Sequence, residues 1–258
     1  MFKAIRIFIL LLILLAVAMS TWRAKTNSVE WKYTLVVNVY PINADGSAVS
    51  DEYVRSLTVD DFKPIEAFMQ QEAAHYGQSS KASIEIRLGK PIASLPPALP
   101  HDRGALDVIL WSLKMRWWSY RHGETTGASP QVKLFLLYFD PDKNPQLLHS
   151  TALQKGLIGR VNVFASRAMA KQNAVIITHE FLHTLGATDK YDLATNMPIF
   201  PDGYANPELN PLLPQQLAEI MGGRIPISKT DAEIPAGLNK VVIGEKTAWE
   251  INWIKPDK

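Results

Sequence analysis

"HEFLHTLGATD" occupies His179–Asp189. Residues four apart on an α-helix lie one above the other on the same face. His179 and His183 therefore bring two imidazoles to one point. Glu180 is one residue on, about 100° round the helix, beside that point rather than on it. Gly186 suits the end of the helix, because glycine readily takes the left-handed conformation at the position after the last helical residue. The chain can then turn back and deliver Asp189, a third donor, three residues later.

Two imidazoles and a carboxylate form a good ligand set for zinc, which in catalytic sites keeps a fourth position for water. Glu180 stands where a general base would take a proton from that water without occupying a coordination site. The competing reading for each histidine is a structural or solvated side chain, and the added Gly186 and Asp189 make it the weaker one. An Asp just past a helix end is also an ordinary turn residue. Asp192 and Glu219 therefore stand as rivals to Asp189 for the third ligand.

The stretch resembles the metzincins, zinc peptidases with an HExxHxxGxx(H/D) motif. Its Asp form is similar to snapalysin-like peptidases, and "DKYD" (Asp189–Asp192) is similar to immune-inhibitor-type peptidases. The resemblance implies a Met-containing turn beneath the metal. Met221 in "AEIMGGRI", 38 residues past His183, suits that role. It also implies that the edge strand before the active-site helix, here Gly156–Ala165, pairs with an extended substrate by strand addition. The resemblance is strong over His179–Asp192 and loose at Met221. Tyr191 and Tyr204 are candidates for stabilising an oxyanion, though packing or loop surface is the better account of both.

The chain has 258 residues, a net charge of +2 and no cysteine. Disulfide scaffolds and cysteine zinc sites are excluded. With no long basic run, nucleic acid is not an expected partner. Lys3 and Arg6 precede an unbroken apolar run, Ile7–Met19, as in a secretory signal. Small residues at Ala16, Ala18 and Ser20 offer weak cleavage sites. Retention of residues 7–19 as a transmembrane anchor is the slightly favoured alternative. Residues 1–30 are read as signal peptide or anchor with linker, and 31–258 as one zinc metallopeptidase-like domain.

Within that domain, Tyr33–Pro41, Ala82–Gly89, Gln131–Asp140 and Gly156–Ser166 read as strands. The third is apolar enough for a sheet centre, and the last, with two glycines and Arg160, suits an edge. Helices are predicted from Asp60 or Asp61 to Gly77, from Ala105 to Gly123 and from Arg167 to Leu185. The first has an apolar stripe of Phe62, Ile65, Met69, Ala73 and Tyr76. The second carries Leu106, Ile109, Leu110, Leu113, Trp117 and Tyr120 on one flank and Val108, Trp111, Met115 and Trp118 on the other, which predicts cover on more than one side. His75 and His122 sit near helix ends, and "DPDKNP" (Asp140–Pro145) reads as a plain turn. The last 70 or so residues, rich in Pro and Gly, predict irregular structure with a short helix at "PQQLAEIMGG".

The expected fold is α+β and metzincin-like, with a mixed twisted sheet, a backing helix, an active-site helix and an irregular C-terminal subdomain. The expected activity is that of an exported, extracytoplasmic or membrane-anchored zinc endopeptidase acting on a peptide or protein, with membrane contact through the N-terminal segment. The metal ligands would be His179, His183 and Asp189, and the general base Glu180. The alternatives are a zinc-containing binding module of the same fold that does not cleave, and an anchored structural protein without metal.

Overall fold

The computed structural model describes residues 6, 30, 31, 33–78, 83–100, 104–123, 131–148 and 150–255. The chain mixes helix and strand around one five-stranded sheet, an architecture compatible with the α+β class. Strands β1 (Leu35–Asn43), β2 (Ile84–Leu88), β3 (Val132–Phe139), β4 (Thr151–Leu153) and β5 (Ile158–Phe164) lie in the order β2-β1-β3-β5-β4. All neighbours are parallel except β4, which runs antiparallel to β5. β3 is the central strand, as its apolar run predicts.

Parallel crossovers are right-handed. β1 steps one way to β2, and β2 steps back past β1 to β3. The intervening helices consequently fall on opposite faces of the sheet. α1 (Ala48–Ser56) and α2 (Lys63–His75) follow β1, and α3 (Ala105–His122) follows β2. Side chains alternate accordingly along β3. Leu134, Leu136 and Tyr138 join α2 and the motif-bearing helix α4 (Ala170–Leu185) in the larger core. Phe135 and Leu137 join Trp111, Met115 and Trp118 of α3 in the smaller one.

Several expectations are corrected. β5 is not the edge. β4 pairs with it from the outside, and Gly159 serves close packing instead, since a Cβ there would meet Leu134 Cδ2 at 2.6 Å. The free edge nearest the motif is therefore β4, a strand too short to stand out by periodicity. α1 was not expected. The helix predicted at "PQQLAEIMGG" is absent: Ala218–Glu219 is a short strand, β6, paired with β9 (Val241–Val242). The helix of this region is α5 (Glu245–Glu250). The remaining short strands are β7 (Ile225–Pro226) and β8 (Ala232–Glu233).

In α3 the buried face is Trp111, Met115 and Trp118, while Leu106, Ile109, Leu110, Leu113, Trp117 and Tyr120 are exposed. A large apolar side chain left in water forgoes roughly 1.5–3 kcal/mol that burial would supply. The transmembrane expectation is also corrected. Among the described residues no helix is long and apolar enough to cross a membrane, and Ile7–Met19 lies outside them.

The C-terminal segment is irregular, as expected, but firmly attached to α2 and to the residues after it. Tyr76 donates its hydroxyl to Ile243 O (2.6 Å), and Gln78 Nε2 donates to Trp253 O (2.8 Å). Trp31 Nε1 donates to Ile251 O (2.7 Å). The turn beginning at Asp140 forms as predicted, with Asn144 N donating to Asp140 O (2.9 Å).

Asp45 ties the loop after β1 to that turn. It accepts from Ser47 N (3.0 Å), Asp140 N (2.7 Å) and Asn144 Nδ2 (3.1 Å). Burial by itself would raise its pKa, but the donated N–H groups outweigh burial and hold it at about 2, below the usual 3.8. A depressed folded-state pKa contributes stability that is complete above the unfolded value and lost as pH falls through the folded one. The melting-temperature gap between wild type and Asp45→Asn should thus be constant between about pH 5 and 7 and narrow between about pH 4 and 2. A gap that does not change with pH would show that the charge of Asp45 does not tie these loops.

Candidate metal centre

α4 is anchored before it reaches the motif. Asn173 accepts from Phe164 N (3.1 Å) and donates to Phe164 O (2.8 Å), pinning the helix to the end of β5. Ile177, Phe181, Leu182 and Leu185 are buried in the larger core. This leaves His179 and His183 on the opposite, partly open face, their side chains 14% and 19% exposed.

The two imidazoles meet as their spacing predicts, with Nε2 atoms 3.0 Å apart. Gly186 closes the helix at φ +114°, its N–H shared between Leu182 O and His183 O (3.1 Å each). A Cβ at Gly186 would lie 2.5 Å from Gln154 Nε2. The chain then reverses, and Asp189 Oδ1 arrives 3.2 Å from His179 Nε2 and 3.1 Å from His183 Nε2. Three donor atoms thus converge on one point. A tetrahedral zinc with ligands at about 2.0–2.1 Å would separate them by about 3.3 Å, close to what is found.

The far side of each ring is occupied. His179 Nδ1 lies 2.9 Å from Ile220 O, and His183 Nδ1 lies 2.8 Å from Ala187 O. A carbonyl can only accept, so Nδ1 carries the proton in both rings and the Nε2 lone pairs face the third donor. Backbone carbonyls of this kind orient metal-binding histidines and raise their basicity. Burial opposes the charged form of His179, but Asp189, Glu180 and the Ile220 carbonyl outweigh it and raise its pKa. Burial likewise acts to raise that of Asp189, and the two imidazoles hold it well below the carboxylate range. Both shifts have the sign expected where a carboxylate meets two imidazoles.

Glu180 is buried, and one of its carboxylate oxygens lies within 4.8 Å of the two imidazole nitrogens. His179, Glu180 and His183 are by themselves a group that could hold a metal ion. Asp189 Oδ1, at 3.1–3.2 Å from both Nε2 atoms, is a further candidate donor at the same point.

The two rivals of Asp189 have other work. Asp192 caps its own turn, accepting from Ala194 N (3.1 Å), Thr195 N (2.8 Å) and Thr195 Oγ1 (2.8 Å). Glu219 is fully buried and accepts from Gly222 N (2.8 Å), Gly244 N (3.1 Å) and Thr247 Oγ1 (2.6 Å). It thereby holds the turn containing Met221. That turn runs directly behind His179 and the Asp189 loop. Ile220 O meets His179, and Met221 O accepts from Lys190 N (2.9 Å). Met221 itself is fully buried in the larger core.

Tyr191 lies near the centre, its ring centroid 6.3 Å from that of His179. Burial, then the Asp189 and Glu180 carboxylates, push its phenol up to about 12. It therefore remains a proton donor at neutral pH. Tyr204 packs edge-on against Phe200 and lines a different cleft of about 1570 Å³ with Trp31, Tyr76, Trp249 and Trp253. None of the three donor side chains lines that cleft. His122 Nδ1 meets Trp118 O at 3.0 Å, the helix-end contact expected for it.

One arrangement was not foreseen. Glu250 of α5 accepts from Thr188 N (3.0 Å), Thr188 Oγ1 (2.7 Å) and Lys190 Nζ (2.8 Å). It grips the residues on both sides of Asp189. Burial works to raise its pKa, but Lys190 and Thr188 outweigh this and lower it. No sequence signal joins residues 60 positions apart; only the pairing of an unpatterned Lys with a late Glu could have suggested it.

No protein-family model matches the chain, and no curated protein matches it.

Glu250→Gln keeps the shape but leaves the Lys190 charge without its partner and frees the Asp189 loop. Loss of an outer contact of this kind typically weakens metal binding about 10–100-fold. A competitive chelator titration on the folded variant should show that fall with all three donors intact. Undiminished affinity would show that the loop is held without Glu250.

Proposed function

We propose that this chain is an exported zinc-dependent endopeptidase with a metzincin-like active site. The observation that supports this best is the convergence of His179 Nε2, His183 Nε2 and Asp189 Oδ1 within 3.0–3.2 Å, with buried Glu180 beside them. Two imidazole nitrogens and a carboxylate oxygen, with an exposed flank for a fourth position, suit a catalytic rather than a closed structural zinc. Met221 takes the place of the methionine turn in this reading. Export rests on Lys3, Arg6 and the apolar run that follows.

Bound zinc would bring the pKa of a coordinated water toward about 7 and polarise a substrate carbonyl. Glu180 accepts the water proton as the oxygen–carbon bond forms. It returns that proton to the amine nitrogen as the carbon–nitrogen bond breaks, so one carboxylate serves as base and then acid. The Tyr191 phenol, protonated at neutral pH, is a donor for the negative charge that develops on the carbonyl oxygen. Lys190 and Glu250 hold Asp189 in place. The outer edge of β4, rather than β5, is the strand against which an extended peptide would pair.

Protein purified without added metal should contain near one equivalent of zinc, and His183→Ala should lose it. Retention of full zinc by His183→Ala would remove the ligand assignment. Glu180→Gln should keep the zinc and the melting temperature while slowing cleavage of a peptide-library substrate on the order of 10²–10⁴-fold. Equal rates would refute the mechanism. A wild type that holds zinc and cleaves nothing would make the chain a non-catalytic binding module.

A further inference from the structure

The outer face of α3 has no partner among the described residues. At about 100° per residue, Trp111, Met115 and Trp118 point into the sheet. Leu106, Ile109, Leu110, Leu113, Trp117 and Tyr120 point the opposite way. Their exposure runs from 54% at Ile109 and Leu110 to 82% at Tyr120. They form one stripe about 20 Å long with no polar residue within it. A helix that is apolar on two opposite faces is suited to cover on both, and the sheet covers only one.

The margins of the stripe are basic. Lys114 and Arg121, both exposed, flank one side, while Arg116 on the other is partly buried with its Nε inside the fold. The helix's one acid is Asp107, in the first turn, where it complements the helix dipole. The Arg121 guanidinium lies over the Trp117 ring, 5.7 Å from its centroid. An apolar stripe bordered by long cationic side chains, with Trp and Tyr toward one end, is the pattern of a helix lying in a bilayer interface. The stems of Lys and Arg can run along the hydrocarbon while their charges reach the phosphates.

We propose that α3 docks the domain on an anionic lipid bilayer, its outer stripe turned into the headgroup–acyl boundary. The helix lies on the membrane and does not cross it. Charge selects this occupant: the two exposed cations bordering the stripe, Lys114 and Arg121, complement anionic headgroups. A second copy is disfavoured, because two-fold pairing about Leu113, the middle of the stripe, would bring Lys114 against its own counterpart. The proposal uses no feature of the metal centre and is independent of the peptidase reading.

The chain has no cysteine, so Leu113→Cys introduces a single thiol at an exposed position. The full-length variant is labelled with a polarity-sensitive nitrobenzoxadiazole probe, and a second variant, Lys229→Cys, carries the same probe in the exposed loop between β7 and β8. Both are mixed with phosphatidylglycerol–phosphatidylcholine vesicles, with and without doxyl-labelled lipid. The probe at 113 should shift to the blue and be quenched by the doxyl lipid, while the probe at 229 does neither. Each basic residue near an anionic surface contributes about fivefold to partitioning. Pure phosphatidylcholine should therefore weaken the response at 113 by roughly twenty-fivefold. The proposal is overturned if the protein stays off the vesicles, or if it binds them with the 113 probe still in water. It is equally overturned if that probe becomes buried without vesicles. A burial that grows with protein concentration would identify a second copy as the occupant, and one that does not would identify another segment of the same chain.

Discussion

A carboxylate oxygen and two imidazole nitrogens held 3.0–3.2 Å apart place three lone pairs around one point. Such a cluster repels itself unless a cation occupies the centre. Against the effect of burial, Asp189 and Glu180 push the pKa of His179 up, and the two imidazoles pull that of Asp189 down. A divalent ion answers the same demand with three bonds at once. Everything around the cluster acts to keep the lone pairs aimed. Two backbone carbonyls hold the Nδ1 protons, a left-handed glycine turns the chain, and a buried ion pair fixes the loop that returns Asp189.

The aiming comes from parts of the chain far apart in sequence. The carbonyl behind His179 belongs to the Met221 turn, and that turn is held by Glu219 through its bonds to residues 222, 244 and 247. The Asp189 loop is gripped by Glu250. The irregular C-terminal segment is thus the outer support of the site rather than an appendage. Its own attachment to α2, through Glu72 and Ile243, and to Tyr76 just after that helix, makes the α2 face of the sheet and the donor cluster one mechanical unit.

The opposite face of the sheet is simpler. Among the described residues it is covered by α3, on the side that the reversal of strand order demands, and by the segment after β2, whose Ile92 and Leu99 pack beside Trp111, Met115 and Trp118. That helix presents comparable apolar surface inward and outward. The inward half is satisfied by Phe135 and Leu137. The outward half, ringed with Lys and Arg, has the composition of a surface built for a medium other than water.

The sequence alone determined the local part of this protein. His179, His183, Gly186 and Asp189 were legible because helix periodicity and a glycine cap act over a few residues. The stripe of α2 and the central place of β3 were legible because both are long and strongly patterned. Tertiary structure decided the rest. β4, three residues long, is defined only by its pairing with β5. Gly159 signals close packing instead of an edge because Leu134 lies against it. Which apolar face of α3 is inside follows from the sheet it meets, since the two faces are equally apolar. Glu219 and Glu250 differ from any other carboxylates only in the partners that folding brings to them. Periodicity and turn chemistry are properties of neighbours in the chain. Register, burial and the pairing of distant charges are properties of neighbours in space.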